Sequence, residues 1–389
     1  MLESFHSLPR KASQLAVFIV VLLSRDCAAA RAGIRLPEIA AANVSDLLGN
    51  VQGGLKRGAR LLDKADITAT YAGDDTGGYS AFADVQITDA ANFSGALVGD
   101  AQTVSNLDAP AGLRLANAWI ARDFGGRGGV KTGAIDLNTE FDVQTTAALF
   151  LNSAFGIGPD FSQSGRNGPS IFPNTGLGLV GWWLPGGHWQ VKGGVFEGSP
   201  GNPDHPGRTT FALSGDNGAL LVAEVRDHLT PDFVIGAGTW RYTEPFDAID
   251  PARGSLTGNS GFYAIADGLL YAAPEGEKSG LSGWLRLGLA DDRINAVDVS
   301  IGGGLAYTAP FGRMADQVGL AFARVEFGAP ALANGAALGR SETSFESTYS
   351  FNINSHLSVQ PDVQYVISPS GDPALGNALV VGSRLIATW

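Results

Sequence analysis

The last thirteen residues of the chain form an alternating segment that limits the folds open to it. The segment reads NALVVGSRLIATW and ends on Trp389. From Leu379 to Trp389 one parity is apolar except at Ser383, and the other parity is mixed. A soluble edge strand of this kind would expose unpaired backbone groups beside an apolar face. A closed barrel in a lipid bilayer removes the edge and places the apolar face against hydrocarbon.

Sixteen segments of this type can be placed along the chain, most of them bounded by Gly, Pro, Asp or Asn. Strands are predicted at residues 43–53, 59–71, 79–89, 112–124, 128–138, 176–185, 189–198, 218–228, 232–243, 260–271, 280–291, 297–309, 316–327, 340–354, 357–367 and 377–389. An even number of strands is what single-chain bacterial outer-membrane barrels contain.

The gaps between these segments fall into two classes. The even-numbered gaps are mostly tight turns such as GDDTGG and FGRMAD. Several odd-numbered gaps are long, notably residues 89–111, 139–175, 199–217 and 244–259. Short turns on one side and long loops on the other predict an outer-membrane barrel with both chain ends on the periplasmic side.

The composition agrees with an all-β membrane protein. The 389 residues are 44% hydrophobic and only 16% charged, and they include 53 glycines. A water-soluble globule usually carries more charge, and a helical membrane protein needs apolar runs of about twenty residues. The formal net charge of -12 argues against nucleic acid as a partner.

The N-terminal segment has the order of regions found in a secretory signal. A short apolar run, LAVFIVVLL at residues 15–23, follows Arg10 and Lys11 and precedes an alanine-rich stretch. We predict a signal peptide at residues 1–32, cleaved after Ala30 or Ala32, and an outer-membrane β-barrel at residues 33–389. The single cysteine, Cys27, would be removed with the signal, so no disulfide is expected in the mature barrel.

The longest odd-numbered gap carries the pattern of a short amphipathic helix. Its apolar residues recur at helical spacing after Asp142 as the cap. These residues are Val143, Ala147, Phe150, Leu151 and Ala154. Folding into the barrel would bury the apolar face and narrow the pore, whereas a cap over the barrel mouth is the alternative. The predicted fold is therefore all-β: a sixteen-stranded antiparallel transmembrane β-barrel with a short helix-bearing extracellular loop folded into the lumen.

The polar parity of the predicted strands supplies candidate pore-lining residues. A pore for a sugar needs planar donors, carboxylate acceptors and aromatic platforms. The candidates on the strands are Arg114, Arg122, Glu224, Arg226, Arg241, Trp284, Arg286, Asp362 and Arg384, with Lys131 and Asp136 on opposite parities of the fifth strand. Any one of them can be a solvated lumen charge, but the set together favours a role in selectivity. Near the strand ends, Trp182, Trp183, Trp189, Trp240, Tyr242 and Tyr271 are expected in the interfacial aromatic girdle.

Six segments, mostly in the first half of the chain, form an ordered set. They are GNVQGGLKRGARLL at 49–62, LVGDAQTVSNLDAP at 97–110, GLRLANAWIARDF at 112–124, Glu140-Phe141 followed by LFLNSAFG at 149–156, the approach from Phe172-Pro173 to Gly178, and GGVFEGSPG at 193–201. In their order and spacing they resemble the carbohydrate-selective porins of Gram-negative outer membranes.

The resemblance implies a monomeric sixteen-stranded porin of the bacterial outer membrane. It implies passive diffusion of glucose and similar sugars through a constriction of charged and aromatic side chains, and it adds Glu140 and Asn117 to the candidate pore lining. Relatives tend to have a glutamate where this chain has Asn117, so the preferred solute is left open. The expected partners are small neutral sugars and outer-membrane lipid, with no cofactor, and the oligomeric state is a monomer or a homotrimer.

Two alternatives remain at this point. One is a general diffusion porin without sugar preference, and the other is an outer-membrane barrel enzyme such as a lipase or protease. Asn259-Ser260-Gly261 resembles part of a serine-protease signature, but it lies at a loop-to-strand junction where these residue types are common. The four histidines of the mature chain have no partner at ligand spacing, so the sequence supports neither a metal site nor a catalytic triad.

Overall fold

The structure, a computed structural model, describes residues 36–73, 78–89, 91–211, 217–273 and 279–389. Residues Ile39–Trp389 form one compact unit, and the preceding unit, Met1–Glu38, falls almost entirely outside the described residues. The predicted signal peptide at residues 1–32 lies there, and it stays a prediction. Within the described ranges, no helix has both the length and the apolar character needed to span a membrane.

Sixteen strands occur in the described part of the chain, and each overlaps one of the predicted strands. They are β1 (Glu38–Gly54), β2 (Gly58–Ala72), β3 (Tyr79–Asp89), β4 (Gly112–Asp123), β5 (Gly128–Ile135), β6 (Gly176–Gly186), β7 (Trp189–Glu197), β8 (Ala219–Thr230), β9 (Phe233–Asp247), β10 (Ser255–Ala272), β11 (Gly280–Ala290), β12 (Val297–Thr308), β13 (Gln317–Phe327), β14 (Ser341–Asn354), β15 (Leu357–Ile367) and β16 (Gly376–Thr388). Each strand neighbours the next along the chain, and β16 returns to β1, so the sheet is a closed barrel.

The C-terminal strand closes the barrel, as its sequence pattern predicts. β16 pairs antiparallel with β1, with Val381 opposite Gly49 and Leu385 opposite Ser45. On its other side β16 pairs with β15. The apolar parity that ends on Trp389 faces outward, and the parity that contains Arg384 is turned inward and buried. Closure therefore leaves neither edge of the sheet unpaired.

The outer face of the barrel is apolar and the inner face is polar, which is the reverse of a soluble protein. On β15, Val363 and Tyr365 are exposed, whereas Asp362 and Gln364 are buried on the inside. β14 repeats the pattern, with Phe345 exposed beside buried polar neighbours. An apolar band on the outside of a closed barrel is suited to lipid.

One predicted long loop is mostly strand. Residues 244–259 were expected to form a loop, but β9 continues to Asp247 and β10 begins at Ser255. The alternation continues through Tyr242, Glu244 and Phe246, whose side chains are buried on the inner face. That prediction was wrong because polar residues on the outer parity of this extended hairpin resemble a loop in the sequence.

Among the residues that the structure describes, the helical segments are few and short. The α-helices are α1 (Pro159–Ser162) and α2 (Ala329–Ala333), a π-helical turn spans Ser94–Val98, and 3-10 turns span Leu137–Thr139, Thr146–Leu149, Ser153–Phe155, Pro251–Arg253, Pro310–Gly312 and Pro369–Gly371. The amphipathic helix predicted within residues 138–156 is thus replaced by separate 3-10 turns. Asp142 has a φ of +57° and does not cap a helix.

The apolar residues of this segment have helical spacing for another reason. Phe150 and Phe155 pack in one cluster with Trp284 of β11, whereas Leu151 packs in a second cluster with Leu48 and Val380 of the closing strands. The segment passes between two parts of the barrel wall, and successive side chains pack against opposite sides. Residues 136–175, which we call the constriction loop, therefore fold into the lumen and carry a short helix, as predicted, but the helix is α1 (Pro159–Ser162) and does not span residues 143–154.

Candidate functional site

The constriction loop is fixed to the wall by a buried ion-pair cluster at Arg286 of β11. Arg286 is only 2% exposed. Its Nη2 donates to Asp142 Oδ2 at 2.7 Å, and its Nη1 donates to Asp160 Oδ1 at 2.7 Å and to Ser300 Oγ at 2.8 Å. One guanidinium thus joins two carboxylates that lie eighteen residues apart in the same loop. Charge-assisted bonds of this geometry fix position as well as contributing energy.

A second cluster on β8 and β10 meets the same part of the loop. Glu224 Oε2 accepts hydrogen bonds from the backbone N–H of Asp142 at 2.9 Å and from the Tyr263 hydroxyl at 2.7 Å. Its other oxygen accepts from Arg226 Nε at 2.6 Å. The two clusters together hold Asp142 by both its side chain and its backbone.

Further carboxylates on the wall accept hydrogen bonds from loop backbone N–H groups. The bonds run from Thr145 N to Asp267 Oδ2 at 2.5 Å, from Leu151 N to Glu346 Oε1 at 2.6 Å, and from Asn152 N to Glu346 Oε2 at 3.0 Å. An irregular segment inside a barrel has few backbone partners of its own, and its buried N–H groups need acceptors. Wall carboxylates supply them, so these inward charges hold the loop.

A second loop, residues 91–111, also folds inward, and its sequence did not predict this. Arg384 of β16 binds Asp46 of β1 through Nε at 2.7 Å and Nη2 at 2.8 Å, and it donates to Asn106 Oδ1 of this loop at 2.7 Å. On β14, Glu342 accepts from the backbone N–H of Ala101 at 2.7 Å. Apolar side chains of the loop, including Phe93, pack on the same cluster that receives Leu151.

Aromatic side chains complete the contact between the constriction loop and the wall. Phe161 of α1 stacks on Trp240 of β9 with ring centroids 5.0 Å apart and an interplanar angle of 3°. Wall glycines leave the necessary room, since a Cβ at Gly261 would lie 2.3 Å from the Trp240 ring. Trp240 and Tyr242 are therefore lumenal, and their predicted place in the outer girdle was wrong.

The other predicted girdle residues divide by parity. Trp183, Trp189 and Tyr271 are strongly exposed on the outside, at 59%, 45% and 55%. Trp182 lies on the inward parity with Val180, which is opposite Lys131 in the ladder. Neighbouring aromatic residues at one strand end can thus face lipid and lumen respectively.

Most of the predicted pore residues lie inside the barrel, but few have free side chains. Those on the inner face of the strands are Arg114, Asn117, Glu224, Arg226, Trp284, Arg286, Asp362 and Arg384, while Asp136 and Glu140 lie in the constriction loop. Arg114 donates to the carbonyl oxygens of Pro110 and Pro206, and Asn117 accepts from the backbone N–H of Asp136. Much of the set therefore positions loops, and direct contact with a solute by these residues stays a prediction.

Two predicted pore residues face outward. In β4 an extra residue at Ala116 shifts the register against β3, so that Arg122 lies opposite Tyr79 and its guanidinium stands 4.9 Å from that ring centroid. Arg241 lies opposite Leu221 on the outer face of β9. The inward placement of Arg122 was wrong because the bulge reverses the parity of β4 beyond Ala116. The inward placement of Arg241 was wrong because its neighbours Trp240 and Tyr242 are buried on the inner face, which turns Arg241 outward.

A group of inner-face residues outside the predicted pore lining lies on β2–β5, and we call this part of the barrel the open wall. They are Lys64, Asp66, Phe82, Asp84, Gln86 and Trp119, together with Lys131, which was noted for its parity alone. Lys64 Nζ lies 3.2 Å from Asp66 Oδ2, with 21% and 12% of the side chains exposed. Lys131 Nζ lies 4.0 Å from the Trp119 ring centroid, and Trp119 stacks with Phe82 at 5.6 Å. The sequence feature that indicates these inner-face residues is the regular alternation of polar residues in β2 and β3.

The open wall borders the constriction loop through Glu140. Its carboxylate pairs with Lys131 and with Lys192 of β7, whose Nζ lies 3.3 Å from Glu140 Oε2. On the other side of the barrel, beneath Thr145, a cavity of about 410 Å³ lies near the short turns and is lined by Arg226, Asp267 and Ser282. The described residues contain no group of three or more His, Cys, Asp or Glu side chains placed to hold a metal ion.

A closed sixteen-stranded barrel with an apolar outside, a polar inside and a loop across its lumen is an outer-membrane porin. The sequence identifies the group within this class. The chain belongs to the carbohydrate-selective porin, OprB family, which it matches over residues 83–388.

Individual relatives agree with this assignment. Porin B of Pseudomonas aeruginosa is 26% identical over 232 residues, which cover 51% of this chain and 51% of that protein, so the match spans about half the length of this curated relative. The high-pH structure of Pseudomonas putida OprB has a TM-score of 0.81 at 21% identity, covering 91% of this chain and 94% of that chain. A variant of Rh. blastica porin has a TM-score of 0.56 at 11% identity, covering 91% and 100%. At these identities the structural matches show a shared fold.

Proposed function

We propose that this protein is a passive channel of the bacterial outer membrane that admits small neutral sugars in preference to other solutes of the same size. The observation that carries the proposal is the constriction loop, which is held across the lumen by the buried Arg286–Asp142–Asp160 cluster. A loop fixed this firmly gives the bore a defined shape. Membership of the carbohydrate-selective porin family supports sugars as the solute class.

The mechanism is an exchange of hydrogen bonds. A sugar entering the constriction gives up part of its hydration and gains contacts with fixed donors and acceptors, weakly enough to leave again. Nearby charges such as Lys64 with Asp66, and Lys131 with Glu140, are paired, which limits the net field on a neutral solute.

No cofactor or energy source takes part in the proposed transport. Each chain closes its own barrel around its own constriction, so the mechanism is the same in a monomer and in a homotrimer. Residues 1–32 act as the export signal in this proposal.

Solute-dependent swelling of proteoliposomes tests the proposal. We expect liposomes containing the purified protein to swell faster in glucose than in an uncharged polyethylene glycol of matched hydrodynamic size, with protein-free liposomes as the control. Equal swelling rates in the two solutes would indicate a general diffusion porin without sugar preference. An absence of swelling together with hydrolysis of ester or peptide substrates would favour the barrel enzyme instead.

A further inference from the structure

The two inward loops share anchors on one part of the barrel wall. The constriction loop is hydrogen-bonded to side chains of β8, β10, β11 and β14, as shown by Glu224, Asp267, Arg286 and Glu346. The loop at residues 91–111 is bonded to β14 and to Arg384 of β16. These anchors run from β8 around to the closing strands. The loops also touch β2–β5, where Asn117 accepts from the Asp136 N–H, Lys131 pairs with Glu140, and Thr88 and Arg114 donate to the Pro110 carbonyl oxygen. In the described part of the chain, none of these contacts reaches Asp66 Oδ1, Asp84 Oδ1 or Gln86 Oε1 of the open wall.

Side chains of the open wall carry acceptors without donors. Asp66 Oδ1, Asp84 Oδ1 and Gln86 Oε1 are buried and have no hydrogen-bond partner. Asp84 and Gln86 are only 7% and 8% exposed, so both are more than nine-tenths buried. Asp66 lies opposite Gln86 in the ladder, and Gln86 donates to Asp84 Oδ2 at 3.1 Å, so the three form one patch on neighbouring strands.

An unpartnered buried acceptor is unfavourable, and a ligand that brings hydroxyl donors relieves it. Next to the acceptors, Phe82 and Trp119 provide stacked aromatic surface, and Lys131 lies over the Trp119 ring. Acceptors beside aromatic surface match a molecule that has hydroxyl groups around an apolar ring. A phosphate or carboxylate, which brings acceptors of its own, would leave these oxygens without donors.

We propose that sugars cross the constriction along the open wall. Asp66, Asp84 and Gln86 accept hydrogen bonds from sugar hydroxyls, and the Phe82–Trp119 pair contacts the apolar face of the ring. This inference rests on the proposed sugar channel and identifies the residues that distinguish a sugar from another neutral solute. The loop-anchoring charges set the width of the bore, and the open wall sets its preference.

The test removes the acceptors while keeping the loops anchored. In the Asp84→Leu/Gln86→Leu double variant both partners become apolar, a change that is close to neutral for stability. We expect glucose flux relative to the size-matched polyethylene glycol to fall about three- to tenfold, the range of an ordinary hydrogen bond. Polyethylene glycol flux should be unchanged. Gln86→Leu alone should give a smaller fall in glucose flux relative to polyethylene glycol flux. This single variant replaces the double variant in the test if the double variant does not fold.

A matched control removes an amide from the anchored side of the lumen. Gln317 of β13 lies at the short-turn end on the inward parity and donates to Thr308 Oγ1 at 3.1 Å. In Gln317→Leu, the ratio of glucose flux to polyethylene glycol flux should equal that of the parent protein. An unchanged ratio in the folded double or single variant, or an equal fall in Gln317→Leu, would overturn the inference. If the parent protein itself shows no glucose preference, the proposed function fails before the variants are compared.

Discussion

Replacing Arg286 by methionine is expected to release the constriction loop and widen the pore. The substitution keeps most of the volume but leaves the Asp142 and Asp160 carboxylates buried without their cation. Removing one partner of a buried ion pair is destabilising by about 3–5 kcal/mol. The loop can avoid this cost by moving into water, because the barrel itself is held by separate ladder hydrogen bonds. In planar bilayers the single-channel conductance should rise, and in liposomes the preference for glucose over polyethylene glycol should fall.

A neighbouring arginine offers a control for this prediction. Arg293, in the turn after β11, pairs with Asp291, but 50% of its side chain is exposed. An exposed ion pair contributes about 0–1 kcal/mol, so Arg293→Met should leave conductance unchanged. Heat-dependent gel mobility would establish that both variants keep a folded barrel. A folded Arg286→Met channel with parental conductance and glucose preference would show that this cluster does not hold the constriction.

The strands could be predicted from the sequence because their signal is local. Alternation of apolar and polar residues has a period of two in every strand, and turn residues bound it on both sides. The closing segment at residues 377–389 carries this signal clearly, and β16 occupies nearly the same residues. The constriction loop lacked such a signal. Phe150, Leu151 and Ala154 have helical spacing because Leu151 packs against one part of the wall and Phe150 and Ala154 against another.

Parity was the weaker part of the sequence-based prediction. A single extra residue reverses every side chain beyond it, and the bulge at Ala116 is not visible without the ladder against β3. Arg122 was therefore placed inside the barrel when it lies outside. The role of inward charges could not be predicted either. Whether Arg286 or Glu224 faces water depends on the position of Asp142, which is 144 residues from Arg286 and 82 residues from Glu224 in sequence.

The open wall illustrates the same limit. Lys64, Asp66, Asp84 and Gln86 are visible in the sequence as polar residues two apart on two strands. Nothing local distinguishes them from polar residues that become covered. The distinction arises from the paths of both inward loops, whose hydrogen bonds use other side chains and leave the acceptors of Asp66, Asp84 and Gln86 without donors. Regular strands can thus be assigned from the sequence, whereas the part of the lumen that stays open depends on long-range contacts.

Gly288→Ala is expected to weaken the loop anchor without altering any charge. Gly288 lies on the inner face of β11, and a Cβ there would stand 2.2 Å from Asp160 Oδ2. A glycine to alanine change in a strand otherwise stabilises a protein by about 0.4–1 kcal/mol, because it restricts the unfolded chain. Here the methyl group must displace the Asp160 carboxylate from Arg286, and overpacking of a fixed site costs about 1–3 kcal/mol. Conductance should rise, by less than in Arg286→Met, and glucose preference should decline.

Gly193→Ala separates this steric effect from the general effect of alanine. Gly193 lies in β7, and a Cβ there would meet nothing within 4 Å. This variant should keep parental conductance. The combination of Gly288→Ala with Arg286→Met supplies a further check, because changes that act on one anchor are not additive. If both release the same loop, the double variant should conduct no more than Arg286→Met alone. If the conductance of the double variant rose by the sum of the two single-variant increases, Gly288 would act on the pore independently of Asp160.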